Sequence, residues 1–330
     1  MKRIIRPLAI GFTYDLRSEY TATGYSEEET AELDSDITVI AVENALKSFG
    51  HSVERIGSIR SLVSLLAKGK RWDLVFNIAE GMNGTSREAQ VPALLDAYQI
   101  PYVFSEPLTL CVALDKPAAK RLVRDRGVQT PAFFLAEKLS DLEGLSLPFP
   151  LFCKPAAEGS SKGVGVYSYA ENLDQLKESV SMLLQKFNQP ILIEEYLPGK
   201  EYTVGIIGTG AEARILGVME IVLNMPTQEG YSYKNKLDYL DMVKYRLAGE
   251  KEAKECGTLA LNAWRALNCR DGGRVDIKYN ATGHPAFIEV NPLAGLNPEY
   301  SDLPILCGLL QIHYSKLIEE ILDSAVKRLP

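Results

Sequence analysis

The chain predicts an α/β domain built on a parallel sheet, followed by α+β lobes, and three observations carry this reading. Strands and helices alternate through the first third. From about residue 147 the texture changes to short strands with brief connections. A third segment then runs from Ala213 to a long amphipathic helix near the end. Alternating strands and helices imply a parallel sheet covered on its faces, whereas runs of strands with short links imply antiparallel pairing.

In chain order, "RPLAIGF" (6–12) predicts the first strand. "ITVIAVENALKSFG" (37–50) has helical spacing and stops at Gly50, a natural residue past a helix end. "WDLVFNIAEG" (72–81) predicts a buried strand entering a loop, "EAQVPALLDAYQI" (88–100) a helix and "PYVFS" (101–105) a short strand. Beyond residue 147, "FPLFCKP", "VGVYSY", "ILIEEYL" and "EYTVGIIGTG" predict strands, interrupted by the helix "LDQLKESVSMLLQKF". "ARILGVMEIVL" opens the last segment and "QIHYSKLIEEILDSAVKRL" closes it as a helix.

The 330 residues are 46% hydrophobic and 24% charged, an ordinary globular composition. The formal charge of −7 argues against broad nucleic-acid binding, which needs a positive footprint. No run approaches the roughly 18 apolar residues of a membrane helix. The basic, apolar start gives way at once to Asp15, Arg17 and Glu19, so no signal peptide is expected. Five scattered cysteines without C-x-x-C spacing predict buried thiols in a reducing cytoplasm.

Chemistry concentrates in three places. In "RVDIK" and "FIEVN" apolar and polar residues alternate, and "NATGH" between them supplies turn residues. A hairpin folded about Thr282-Gly283 sets Asp276 opposite Glu289 and Arg274 opposite Asn291, with Val275, Ile277, Ile288 and Val290 toward the core. Facing Cβ atoms lie about 5 Å apart, so two carboxylates there repel unless a cation lies between them. A hard divalent ion fits, and Mg²⁺ commonly combines one or two carboxylates with substrate phosphates. A solvated sheet face carrying ordinary charges explains the hairpin alone equally well. The second place is "FCKPAAEGSSKGVGVYS", where Lys154 ends a strand and Gly159-Ser160-Ser161-Lys162-Gly163 has the composition of a phosphate cradle. It is not a Walker A loop, since no G-x-x-x-x-G-K-[ST] occurs. The third is "ILIEEYLPGKEYTV", with Glu194 and Glu195 ending one strand and Glu201 opening the next; two edge strands dressed with charge would look similar.

Taken in order, "ALDKPAAK", "CKPAAEGSSKG", "IEEYLPGKE", "GGRVDI" and "EVNPLAGLNPEYSDLP" resemble the D-alanine–D-alanine ligase branch of the ATP-grasp superfamily from about residue 70 onward. The resemblance implies a three-domain ATP-grasp fold: an N-terminal α/β domain (1–118), a central lobe (119–205) and a C-terminal lobe (206–330). It implies that Lys116, Lys154 and Lys236 hold ATP phosphates, that Glu194, Glu195, Tyr196 and Leu197 form the adenine hinge, and that Glu201 meets the ribose. Ser160 and Ser161 match the flexible loop, Ser160 also bracing the amino-acid site. Asp276, Glu289 and Asn291 match the ligands of Mg²⁺, with two ions expected. Arg274 and Gly295 match the groups that stabilise the tetrahedral intermediate, Ser301 the serine that holds the second substrate's carboxylate, and Glu32 the glutamate that receives the first amino group. The 224–250 stretch is the expected lid over an acyl-phosphate intermediate.

The pattern departs from the family at Glu80, where a histidine is common, at Leu237, where tyrosine is usual, and at Ala294, where proline is usual. ATP activation reads as intact, while both amino-acid pockets differ. The implied activity is ATP-dependent ligation of two D-alanines for peptidoglycan precursor synthesis in the cytoplasm. The partners are small molecules, not nucleic acid or membrane, and a homodimer is compatible with this. A ligase for another carboxylate–amine pair and a non-catalytic nucleotide-binding regulator are the alternatives.

Overall fold

The structure is a computed structural model that describes residues 6–159, 162–223 and 243–329. Ser160, Ser161, Lys236 and Leu237 lie outside the described residues, as does most of the expected lid stretch.

β1 (Ala9–Thr13) lies between β2 (Ser52–Gly57) and β3 (Leu74–Asn77), all parallel. Crossovers between them run through α1 (Arg17–Thr21), α2 (Asp36–Ser48) and α3 (Ile59–Ala67). α2 begins where the Thr38 amide donates to Ser35, and Gly50 follows its end at φ +87°, as the sequence predicts. The expected strand at 101–105 makes only one isolated bridge, Tyr102 to Val75. Two residues after Tyr102, Phe104 lies in the left-handed region (φ +78°), which ends the extended run. α4 (Gln90–Ala97), α5 (Pro107–Leu114) and α6 (Lys116–Asp125) complete this part.

A second, antiparallel sheet has the order β4 (Phe133–Ala136), β7 (Ile191–Glu195), β5 (Leu151–Pro155), β6 (Tyr169–Ala170), with α7 (Leu173–Phe187) packed on it. Of the strand expected over "VGVYSY" only Tyr169 falls in β6, because Val166–Ser168 forms a 3₁₀ turn. Ser168 fastens that turn by accepting from the Gly165 amide.

The third sheet has the order β10 (Val243–Leu247), β9 (Arg214–Leu223), β8 (Glu201–Ile207), β11 (Gly272–Tyr279), β12 (Pro285–Asn291). The last part of the expected lid stretch is therefore strand β10. One face of the sheet is covered by α8 (Glu250–Ala266), through Cys256, Ala260 and Trp264. The other face is covered by α9 (Asp302–Leu309), which approaches closely because Gly205 and Gly217 lack side chains; a Cβ there would meet Leu306 or Leu310 within 2.8 Å. α10 (Tyr314–Val326) then returns to the first sheet, so that Phe12, Val42 and Leu46 share one core with Ile318, Ile321 and Leu322.

The β11–β12 register agrees with the reading at two pairs, Arg274–Asn291 and Asp276–Glu289. Beyond them it shifts, and Ile277 pairs with Phe287. Ile288 is the extra residue of a β-bulge. Phe287 consequently fills the core position expected of Ile288, while Ile288 turns to the opposite side.

Candidate active site

The hairpin brings its charged residues together tightly. Arg274 Nη1 donates to both Asp276 oxygens, at 2.7 and 2.5 Å, and lies 3.3 Å from Asp302. Thr203 donates to Asp276 at 2.8 Å, and the Asn291 amide does so at 3.1 Å. Burial, beside Glu289 and Asp302, outweighs Arg274 and pushes the Asp276 carboxyl up to about 6. Glu289 is driven the other way. Burial opposes its ionisation, but Lys116, Lys154 and Arg274 outweigh burial and hold it down at about 2.

The lysines come from two directions. Asp115 caps α6 by accepting from the Ala118 amide at 2.9 Å, and Pro117 occupies the first turn, so Lys116 stands at a helix N-terminus. Its Nζ lies 3.5 Å from Glu289 and donates to the Glu158 carbonyl. Lys154, at the end of β5, lies 2.9 Å from Glu194; Lys120, one helical turn beyond Lys116, lies 2.6 Å from the same carboxylate. Glu194 is thus buried between two cations. Burial disfavours its charge, yet the two lysines hold its carboxyl below the usual range. Burial lowers the Lys120 ammonium to about 8 despite Glu194. Sequence reasoning missed Lys120, although the i, i+4 spacing from Lys116 places the two on one helix face.

Lys116, Lys154, Glu194, Arg274, Asp276 and Glu289 line a cavity of about 120 Å³ with Phe152, Glu195, Tyr196, Leu197, Glu201, Lys278 and Ile288. Lys278 donates to Glu201 at 3.1 Å. A second cavity, of about 270 Å³, is lined by Glu32, Asp34, Glu80, Glu88, Gly295 and Ser301, among others. Lys116, Glu158, Arg274 and Glu289 line both. Ser301 approaches Gly295 so closely that a Cβ on the glycine would lie 2.8 Å from its hydroxyl. Glu32 is engaged by Arg87 at 2.9 and 3.2 Å, by the Gly159 amide at 2.7 Å and by Lys162 at 3.4 Å. Arg87 did not stand out as a site residue in the sequence, and Lys162 did so only as part of the phosphate-cradle loop, because only the fold brings them to Glu32.

Among the described residues, no three His, Cys, Asp or Glu side chains gather as a metal site. The hairpin offers two carboxylates and one amide. Such hard oxygen donors fit Mg²⁺ when substrate phosphates complete the coordination.

The D-ala D-ala ligase C-terminus family model matches residues 127–323. An uncharacterised protein of Sinorhizobium fredii, y4sG, is 31% identical, with 87% of each chain covered. The D-alanine–D-alanine ligase of Aquifex aeolicus is 32% identical over 86% of this chain and 92% of its own. Among solved structures, the D-alanine–D-alanine ligase of Bacillus anthracis complexed with ATP has a TM-score of 0.71 at 22% identity, covering 97% of this chain and 98% of that one, and so shares the fold. Family model, relatives and fold agree with the motifs gathered around the two cavities: this chain belongs to the D-alanine–D-alanine ligase family.

Proposed function

We propose that the protein is an ATP-dependent D-alanine–D-alanine ligase. The observation that carries this reading is the meeting of the two cavities at Lys116, Arg274 and Glu289. One cavity has an apolar slot and lysines suited to a nucleotide, and the other has charged walls suited to amino acids. A phosphoryl group bound at their junction faces both.

ATP enters the smaller cavity, its base beside Glu195–Leu197 and Ile288 and its ribose toward Glu201. Lys116 and Lys154 orient its phosphates. Asp276, Glu289 and Asn291 hold Mg²⁺, two ions in this reading, which when bound offsets charge on the phosphoryl oxygens. The carboxylate of the first D-alanine attacks the γ-phosphorus; the bond to ADP breaks and an acyl phosphate forms. The amine of the second D-alanine, placed near Ser301, attacks that carbonyl. Arg274 and the Gly295 backbone stabilise the oxyanion. Phosphate then leaves with the C–O bonding pair and the amine loses a proton.

In the same reading, Ser160, Ser161 and Lys236, which lie outside the described residues, bind the phosphates. The lobes are 1–118, 119–205 and 206–330, with α6 and β8 carrying the chain across the two boundaries. The reaction is assigned to the cytoplasm, where ATP is available, and a homodimer is compatible with it. Among the described residues, no helix is long and apolar enough to cross a membrane. The test supplies ATP, Mg²⁺ and D-alanine. ADP release with the mass of D-alanyl-D-alanine is expected, and turnover only with another acid–amine pair would replace D-alanine.

A further inference from the structure

The proposed reaction requires a group that receives the ammonium of the first amino acid, and the family resemblance assigns this to Glu32. In this chain Glu32 is already saturated. A carboxylate offers about four acceptor positions. Glu32 Oε1 accepts from the Gly159 amide and Arg87, while Oε2 accepts from Arg87 and faces Lys162. The packing is tight as well: a Cβ on Gly159 would lie 2.3 Å from Oε1. Arg87 is buried and also donates to the Ala157 carbonyl, so it ties Glu32 to the backbone before the Ser160-Ser161 loop. An ammonium ion reaching Glu32 would meet a carboxylate shared by two cations.

Glu80 is in the opposite condition. It lines the same cavity as Arg274, Glu289 and Gly295, and its carboxylate makes no hydrogen bond or ion pair with any described residue. Its backbone is firmly held. Gly81 follows at φ +72°, donates to Asp15 at 2.9 Å, and packs so that a Cβ would lie 2.8 Å from the Arg87 carbonyl. The charged groups that act most strongly on Glu80 are Glu88, Glu32, Asp34 and Arg87, and the cation among these four already serves Glu32. Carboxylates therefore outnumber cations next to Glu80, and an ammonium group placed there would offset them.

We infer that Glu80, not Glu32, holds the ammonium group of the first amino acid, and that Arg87 is a positioning residue that turns Glu32 into a brace for the Gly159 backbone. Burial and the neighbouring carboxylates push the Glu80 carboxyl well above its ordinary value, which an incoming ammonium would relieve.

The inference rests on the ligase reading, and its test separates the two. Hydroxylamine traps the acyl phosphate formed from ATP, Mg²⁺ and either D-alanine or propionate, which lacks the amine. The readout is the ratio of kcat/KM for the two acids, which a general loss of folded protein does not move. With Glu80→Gln, kcat/KM for D-alanine should fall roughly tenfold to a hundredfold, the worth of a charged hydrogen bond, while propionate is little changed. With Glu32→Gln both acids should lose activity together and KM for ATP should rise, leaving the ratio intact. An unchanged ratio in Glu80→Gln overturns the inference, and so does a collapsed ratio in Glu32→Gln. If the wild-type protein forms no hydroxamate from either acid, the ligase reading itself fails and takes the inference with it.

Discussion

At the scale of single residues, charge governs the site. Glu289 lies under Lys116, Lys154 and Arg274, so its carboxylate is ionised throughout the working pH range. Glu289→Gln keeps the shape and removes the charge; Mg²⁺-dependent ADP release should fall by more than about tenfold, the effect of losing one charged ligand interaction, and the melting temperature at neutral pH should fall as well, because the surrounding cations lose their partner. The two lysines separate differently. Lys154→Met leaves Glu194 buried with one cation instead of two. Because Lys120 still pairs with Glu194, the substitution should cost roughly 1.5–3 kcal/mol in urea unfolding as well as raising KM for ATP. Lys116→Met, whose partner Glu289 is more exposed, should raise KM for ATP with a smaller loss of stability. Unchanged ATP kinetics in both variants would refute their role. Glu88 supplies a pH prediction. Burial, with Glu32 beside it, raises its carboxyl from 4.5 to about 8. Between those values the unfolded chain has released a proton that the folded one keeps, so stability falls as pH rises. Glu88→Gln should match wild type in melting temperature near pH 4 and exceed it near pH 8.

At the scale of elements, the bulge in β12 decides what each neighbour does. Phe287 is fully buried against β11, and Ile288 lines the smaller cavity. Phe287→Ala should therefore cost roughly 3–5 kcal/mol in urea unfolding. Ile288→Ala should cost far less and raise KM for ATP instead. Strict alternation along the strand predicts the reverse assignment, so the pair of variants distinguishes the two registers. The residues that set the hairpin turn and the first two facing pairs were legible in the sequence. The extra residue was not, because nothing local marks Ile288. Its displacement follows from Ile277 pairing with Phe287 while β11 is also held by β8.

At the scale of the whole molecule, the chain is closed by its C-terminus. Asp271 is fully buried between sheets, where it accepts from the Phe104 amide at 2.7 Å and from Arg328. Arg328→Met strands that carboxylate and should cost roughly 3–5 kcal/mol, measured as a single cooperative transition. α10 packs into the same core as β1 and α2. For that reason a fragment ending at residue 313 should be insoluble or unfolded, which expression and circular dichroism would show.

Periodicity, turn residues and caps are local, and the sequence by itself determined what depends on them: the parallel first sheet, the helix that stops at Gly50, and the facing of Asp276 with Glu289. Motif order added the family. Tertiary structure alone decided the rest. Glu32 and Arg87 belong to different loops, and Lys162 to another sheet's connection, yet they share one buried site. Which carboxylate keeps its charge free depends on the cations that packing delivers to it. That delivery joins residues distant in the chain, and no local pattern encodes it.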